Sequence, residues 1–271
     1  MQFLSYTPPP PLADFVDKLW LAQGPAPAHR KERLLPDATV ELVINLHQDR
    51  IYLYDHADYH RCTTTPGCIV SGPRTKYFVI DTRDQTATMG VHFRPGGAFP
   101  FFGVPASELA DLSVALDALW GPASSELRER LLSARTPDAM FRELQACLLE
   151  RLARPLERHP AVSFGIQQLR GAGRSVAQVV DRLGFSQRYF IALFGDQVGL
   201  TPKQFSRVSR FQRVVQMAHR ASDLDWADVA LDCGYHDQAH FIHDFQSFAG
   251  ITPATYLLQR TPHLNHVPLT E

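Results

Sequence analysis

The chain has 271 residues, 45% of them hydrophobic and 20% charged, which leaves room for one large or two medium domains and excludes a disordered polymer. Charged or proline-containing breaks interrupt every apolar run, so no helical membrane span and no membrane partner are expected. The net charge of −1 argues neither for nor against nucleic acid, and four scattered cysteines give no disulfide framework and suit a reducing cytoplasm.

The N-terminus, MQFLSYTPPPPL, has no basic segment before an apolar one and does not read as a signal peptide. Pro8 to Pro11 cannot be helical and predict an extended arm. Ala13 to Leu21 is too short to assign to helix or strand. From Arg33 the β signals accumulate: Thr39–Leu46, Arg50–Tyr54, Cys68–Ser71, Tyr77–Asp81 and Thr86–Phe93 are short apolar or β-branched runs separated by Asp, Gly, Pro and His clusters. They predict a curved sheet or small barrel that ends at the Arg94-Pro95-Gly96-Gly97 turn. Pro105 to Leu119 then predicts a helix with Ser107 as its N-cap.

Little in this half points to chemistry. His60, Cys62 and Cys68 lack the second ligand pair of a structural zinc site, so no metal and no cofactor are expected. Phe78, Phe93, Phe101 and Phe102 are candidates to line an apolar ligand pocket, against the plainer reading that they fill a core. The Arg94–Gly97 amides can hold an anion, but the segment lacks the strand-to-helix setting of a phosphate loop and reads as a turn. No Ser/His/Asp, nucleotide-loop or paired-carboxylate spacing occurs, so no catalytic residue is assigned and an enzyme is not expected.

Ser124–Ala134 and Pro137–Leu152 read as amphipathic helices, the second capped by Thr136 with Pro137 at its first position. Their stripes are Leu127, Leu131 and Leu132, then Phe141, Leu144, Leu148 and Leu152. The pair either closes the N-terminal domain or forms a homodimer seam. Arg154-Pro155 and His159-Pro160 break helical continuity and mark a boundary.

Beyond that boundary the chain repeats itself. Gly184 to Phe205 and Gly234 to Tyr256 both fit F-x3-F-x4-G-x-T-P-x2-aromatic, with one extra residue after the turn in the second copy. Gly184 answers Gly234, Phe190 answers Phe241, Phe194 answers Phe245, Gly199 answers Gly250, and Thr201-Pro202 answers Thr252-Pro253. Helix Phe164–Leu169 stops at Gly171-Ala172-Gly173. Ser175 caps Val176–Leu183, Gly184 turns the chain, and Ser186 caps a helix to about Gln197. Lys203–His219 is long, followed by Trp226–Cys233, Asp237–Phe248 and a last helix through Leu258. Two helix-turn-helix units joined by one long helix result.

From Phe164 to Arg260 this pattern resembles the DNA-binding domain of the AraC/XylS family of bacterial transcription regulators, most clearly in Gly234-Tyr235, Asp237 to Phe241, Gly250, Thr252, Pro253 and Tyr256. LPDATVELVINL, SGPRT and VHFRPGGAFPFFGVPASEL resemble, more weakly, sensor domains attached to some such regulators. The resemblance implies two recognition helices in successive major grooves of operator DNA, with base contacts at Gln238, His240 and His243. Relatives commonly carry Arg where this chain has His243. Helix geometry separately leaves Gln187, Arg188, Ile191 and Ala192 outward on the first recognition helix. There Arg188 suits guanine, Gln187 adenine or phosphate, and Ile191 and Ala192 apolar contact such as a thymine methyl. Arg174, Ser186, Lys203, Arg207 and Arg210 are the phosphate candidates.

Charge divides the two units. Arg174, Arg182, Arg188, Lys203, Arg207, Arg210, Arg213 and Arg220 face only Asp181 and Asp196 up to residue 220. Thereafter Arg260 alone stands against Asp223, Asp225, Asp228, Asp232, Asp237 and Asp244. The first unit and long helix are therefore expected to anchor, and the second to discriminate.

The resulting expectation is an α+β, cytoplasmic, ligand-responsive DNA-binding transcription factor. Its divisions are a β-rich effector-sensing domain (1–121), a helical pair and linker (122–160), an all-α double helix-turn-helix domain (161–260) and a tail (261–271). Double-stranded DNA and a small-molecule effector are the expected partners, with RNA polymerase and a second copy of the chain as further ones. The alternative is a DNA-targeted enzyme or alkylation-responsive protein using a cysteine of the N-terminal half.

Overall fold

The computed structural model of the chain describes residues 2–54, 58–171, 174–220 and 224–269. Of the positions used above, Ala172, Gly173, Asp223 and the last two residues lie outside these.

β-branched and aliphatic runs build the first domain: β1 (Gln2–Tyr6), β2 (Val16–Gln23), β3 (Lys31–Leu34), β4 (Glu41–Asn45), β5 (Ile51–Tyr54), β6 (Cys62–Thr65), β7 (Cys68–Ser71), β8 (Phe78–Asp81), β9 (Ala87–Phe93) and β10 (Ser113–Ala115). A last strand, β11 (His266–Pro268), returns to this domain from the far end of the chain. Among the described residues one sheet has six strands in the order β1-β2-β9-β4-β7-β10, and another has five in the order β11-β3-β8-β5-β6. The sheets stay open, so the curved-sheet expectation takes the form of two sheets and not a closed barrel. Ala13–Leu21, undecided from sequence, contributes most of β2, which lies between β1 and β9.

The helix predicted over Pro105–Leu119 does not form. A 3-10 turn at Ala106–Leu109, strand β10 and the short helix α1 (Asp117–Trp120) replace it, and Ser107 makes no side-chain cap bond. Tertiary bonds override the helical pattern here. Asp111 sits at φ 58°, and its carboxylate accepts from Thr75 N at 2.6 Å and Thr75 Oγ1 at 2.7 Å.

α2 (Ala123–Ser133) and α3 (Pro137–Glu150) follow, the latter capped by Thr136, whose Oγ1 accepts from Ala139 N at 3.2 Å. Leu127, Leu131, Phe141, Leu144 and Leu148 share one buried cluster with Val16, Leu42, Val70 and Val91 of the six-stranded sheet. The helical pair thus closes the first domain's core, whereas Leu132 and Leu152, read as part of the stripes, face solvent. Arg130 ties the pair together through Glu143 and Glu150, each at 2.8 Å.

His92, on β9, lies between Glu41 (3.8 Å) and Asp37 (3.7 Å). Burial opposes its charging, but the Glu41 bond and the Asp37 charge outweigh that and raise its pKa to about 9. A raised histidine stabilises the fold fully below its ordinary value of 6.5, and that contribution is lost as pH rises through about 9. The urea midpoint should therefore fall between those pH values, and His92→Gln should flatten the slope. An equal slope in the variant would remove this role.

The helical domain comprises α4 (Pro160–Gly171), α5 (Val176–Leu183), α6 (Gln187–Val198), α7 (Pro202–Arg220), α8 (Trp226–Asp232), α9 (Gln238–Ala249) and α10 (Pro253–Gln259). Pro160 opens α4 four residues earlier than the Phe164 start expected. Phe190, Phe194, Phe205, Phe211, Phe241, Phe245 and Tyr256 form its buried aromatic spine. Leu35, Ala38 and Val267 belong to the same cluster, so the two domains share a packed seam.

Candidate nucleic-acid interface

Each helix-turn-helix unit is assembled by local chemistry. Ser175 and Gln178 form a reciprocal capping box at α5. Ser186 Oγ accepts from Tyr189 N (3.2 Å) at the start of α6, and Asp237 Oδ1 accepts from His240 N (2.7 Å) at the start of α9. α6 turns Phe190 and Phe194 into the core, and α9 turns in Phe241, Phe245 and Phe248. Gln187, Arg188 and Ala192 are left exposed on α6 with Ile191 half-buried, and Gln238, His240 and His243 are exposed on α9. The base-reading candidates thus line the open faces of two helices that occupy equivalent places in the repeat.

The phosphate candidates separate. Lys203 and Ser186 are exposed, and Ser186 also serves as the α6 cap. Arg174 is half-buried, its Nε without a partner. Arg207 Nη2 lies 2.5 Å from Oδ1 of buried Asp244, and its guanidinium stands 5.2 Å over the Phe248 ring. Arg210 stacks 5.0 Å over Tyr235, and Arg213 Nη2 donates to Cys233 O at 2.7 Å. The arginines of α7 therefore brace the acidic second unit, which a charge count alone assigns to phosphate.

The two helix starts differ electrically. Ser186 is a neutral cap. Asp237 is anionic, its carboxyl held below the usual range by the His240 amide and then by His236. The cap that takes the Tyr189 amide at α6 is neutral, whereas the cap that takes the His240 amide at α9 is a carboxylate, so a phosphate approaching α9 meets a like charge at that cap.

Sequence reasoning passed over two exposed aromatics on the first unit. Phe185 is 37% exposed and Tyr189 49%, with ring centroids 5.1 Å apart and perpendicular faces. Phe185 holds the place that buried Tyr235 holds in the second copy, so alignment of the repeat hid the difference.

Elsewhere, Phe93 packs at 5.4 Å against Phe101 and at 5.7 Å against Phe102, which stacks on Trp120 at 5.6 Å. These rings are occupied by one another within the core. Phe78 lies under the Arg74 guanidinium at 4.4 Å. An open cleft of about 510 Å³ lies instead at the seam, lined by Asp14, Phe15, Arg94, Arg158 and Ser163 among others. The Arg94–Gly97 segment beside it is a turn closed by Gly97 N donating to Arg94 O at 2.7 Å. Among the described residues no three His, Cys, Asp or Glu side chains converge as a metal site, and no helix is long and apolar enough to cross a membrane. Burial pushes the Cys68 thiol up to about 11, which makes it a poor nucleophile near neutral pH.

Comparison with known proteins bears on both halves. Residues 166–259 match the model of a helix-turn-helix domain. The C-terminal domain is an AraC-type helix-turn-helix domain. Residues 4–115, ahead of this AraC-type domain, match a domain of unknown function, DUF6597. The probable transcriptional regulator LumQ of Photobacterium leiognathi is 34% identical over 83 residues, 30% of this chain and 33% of LumQ. The chain thus spans about a third of the length of that curated relative. Among solved structures, the C-terminal domain of AraT, a response regulator from Geobacillus stearothermophilus, is 18% identical, with 40% of this chain and 91% of that one covered and a TM-score of 0.36. ToxT from Vibrio cholerae O395 is 9% identical, with 96% and 99% covered and a TM-score of 0.48.

Proposed function

We propose that the chain is a sequence-specific DNA-binding transcription regulator, not an enzyme, acting in the cytoplasm. The observation that carries this reading is the pair of equivalent helices, α6 and α9, each capped in the same way and each presenting exposed polar side chains. Gln187, Arg188, Ile191 and Ala192 read one stretch of bases, and Gln238, His240 and His243 a second. Arg174, Ser186 and Lys203 take phosphates beside the first unit, whose neutral helix start and basic surroundings favour anchoring. The second unit, anionic at Asp237 and braced by Arg207 and Arg210, contributes discrimination.

Duplexes selected from a random-sequence library with the full chain provide the test. Arg188→Ala should weaken binding to the selected duplex by about 1–3 kcal/mol and relax one base position, as loss of a two-pronged guanine contact does. Unchanged affinity and unchanged base preference would remove Arg188 from the reading face.

A small-molecule effector acting on the first domain completes the reading. The cleft at Arg94 and Arg158 is the place from which a ligand would touch both domains at once, because Ser163 of α4 also lines it. Metabolites that raise the melting temperature of the full chain would identify it, since binding to the folded state adds stability.

A further inference from the structure

The first domain grips both helix-turn-helix units at positions that the internal repeat makes equivalent. Gly199 ends α6 at φ +89° and Gly250 ends α9 at φ +68°. A Cβ at Gly199 would fall 2.5 Å from Pro73 Cγ and 2.8 Å from Ala106 O, and one at Gly250 would fall 2.4 Å from Tyr77 Cε1. Both glycines therefore permit close approach, and one loop, residues 72–77 between β7 and β8, reaches both of them, with Ala106 joining it at Gly199. Tyr77 N also donates to Phe248 O at 2.8 Å, adding a main-chain bond to the end of α9.

The loop is stiffly mounted. Gly72 N donates to Leu112 O (2.9 Å), and Asp111 N donates to Pro73 O (3.0 Å). Thr75 donates through both N and Oγ1 to the Asp111 carboxylate. Arg74 donates to Asp111 O (2.6 Å) and to Ser113 Oγ (2.5 Å). The SGPRT segment is thus fixed to the loop before β10, and Ala106 of the neighbouring 3-10 turn completes the seat for Gly199.

The helix α7 also joins the two units, through Phe194–Phe205 contact at 5.5 Å on one side and Phe211–Phe245 at 5.1 Å on the other. A joint made by one helix leaves twisting and bending about its axis as soft motions. A second strut, joining the ends of the two reading helices off that axis, removes them. We infer that loop 72–77 of the first domain is a gauge that fixes the spacing of the two reading helices, and so the separation of the two half-sites the chain accepts on DNA. Inserting one base pair moves the second half-site by about 3.4 Å and turns it by roughly 35°, which a rigid pair cannot follow.

This inference rests on the DNA-binding reading, and the experiment separates the two. Full-length protein selects duplexes from a random library, and the selected duplex is then remade with one base pair added or removed between its half-sites. The native chain should prefer the selected spacing by about tenfold or more. Tyr77→Ala and Pro73→Ala should reduce that preference to about twofold. Tyr77→Phe, which keeps the ring on Gly250 and the main-chain bond, should retain it. Should either alanine variant fail to fold, Thr75→Ala loosens the loop from Asp111 without removing the glycine contacts and should narrow the preference likewise. An undiminished spacing preference in the folded alanine variants overturns the gauge while leaving DNA binding intact. Failure of the native chain to select any duplex overturns the DNA reading instead, and the gauge with it.

Discussion

Phe211→Ala should cost about 3–5 kcal/mol, a large share of the roughly 5–15 kcal/mol that holds a domain folded. Phe211 is 0% exposed on α7, with ring centroids 5.1 Å from both Phe245 and Phe248 of α9. Truncation removes the ring that α7 shares with two phenylalanines of α9 and leaves a cavity between the helices. Urea denaturation measures the loss. A cost below 1 kcal/mol would mean that α7 and α9 are not tightly packed, and the bracing role given to the α7 arginines would fall with it.

A second large effect is expected at the far end of the chain. Val267 in β11 is fully buried among Leu35 and the helical core, and Val267→Asp would place a carboxylate in that apolar cluster, where Arg33, opposite it on β3, is the neighbouring cation. The cost should be about 3 kcal/mol or more, because the carboxylate's lost hydration and the valine's lost packing together exceed what one partly exposed guanidinium across the ladder returns. Leu258→Asp is the control, since that side chain is 88% exposed and its replacement should change stability by less than about 0.5 kcal/mol. Equal melting temperatures for the two variants would show that β11 is not docked in solution.

What was legible in the sequence is what local physics decides. Thr136, Ser175 and Ser186 cap their helices through bonds to amides three residues on, so side-chain identity and spacing suffice to find them. Strands such as β4 and β9 were equally visible as β-branched runs. Apart from the early start of α4 at Pro160, the failures are long-range. HLNHVP carries no alternation that marks a strand, yet β11 pairs with β3, and Glu32 of β3 receives His266 at 2.8 Å. The helical pattern over Pro105–Leu119 lost to bonds between Asp111 and Thr75, residues far apart in the chain. The basic character of α7 was plain, but which carboxylate Arg207 meets depends on how α9 packs, and no spacing rule contains that. The outward faces of α6 and α9 could be drawn from helix geometry, because exposure there depends only on which positions point away from buried rings.

The return of β11 to β3 also has a consequence for biosynthesis. During translation the five-stranded sheet can pair β3, β8, β5 and β6 long before residues 266–268 emerge, and in that interval the outer edge of β3 presents unpaired amides and carbonyls. Glu32 and Lys31, charged residues on that edge, oppose its pairing with other nascent chains. The arrival of β11 then covers the edge, so the first domain is sealed only after α6 and α9 have been made.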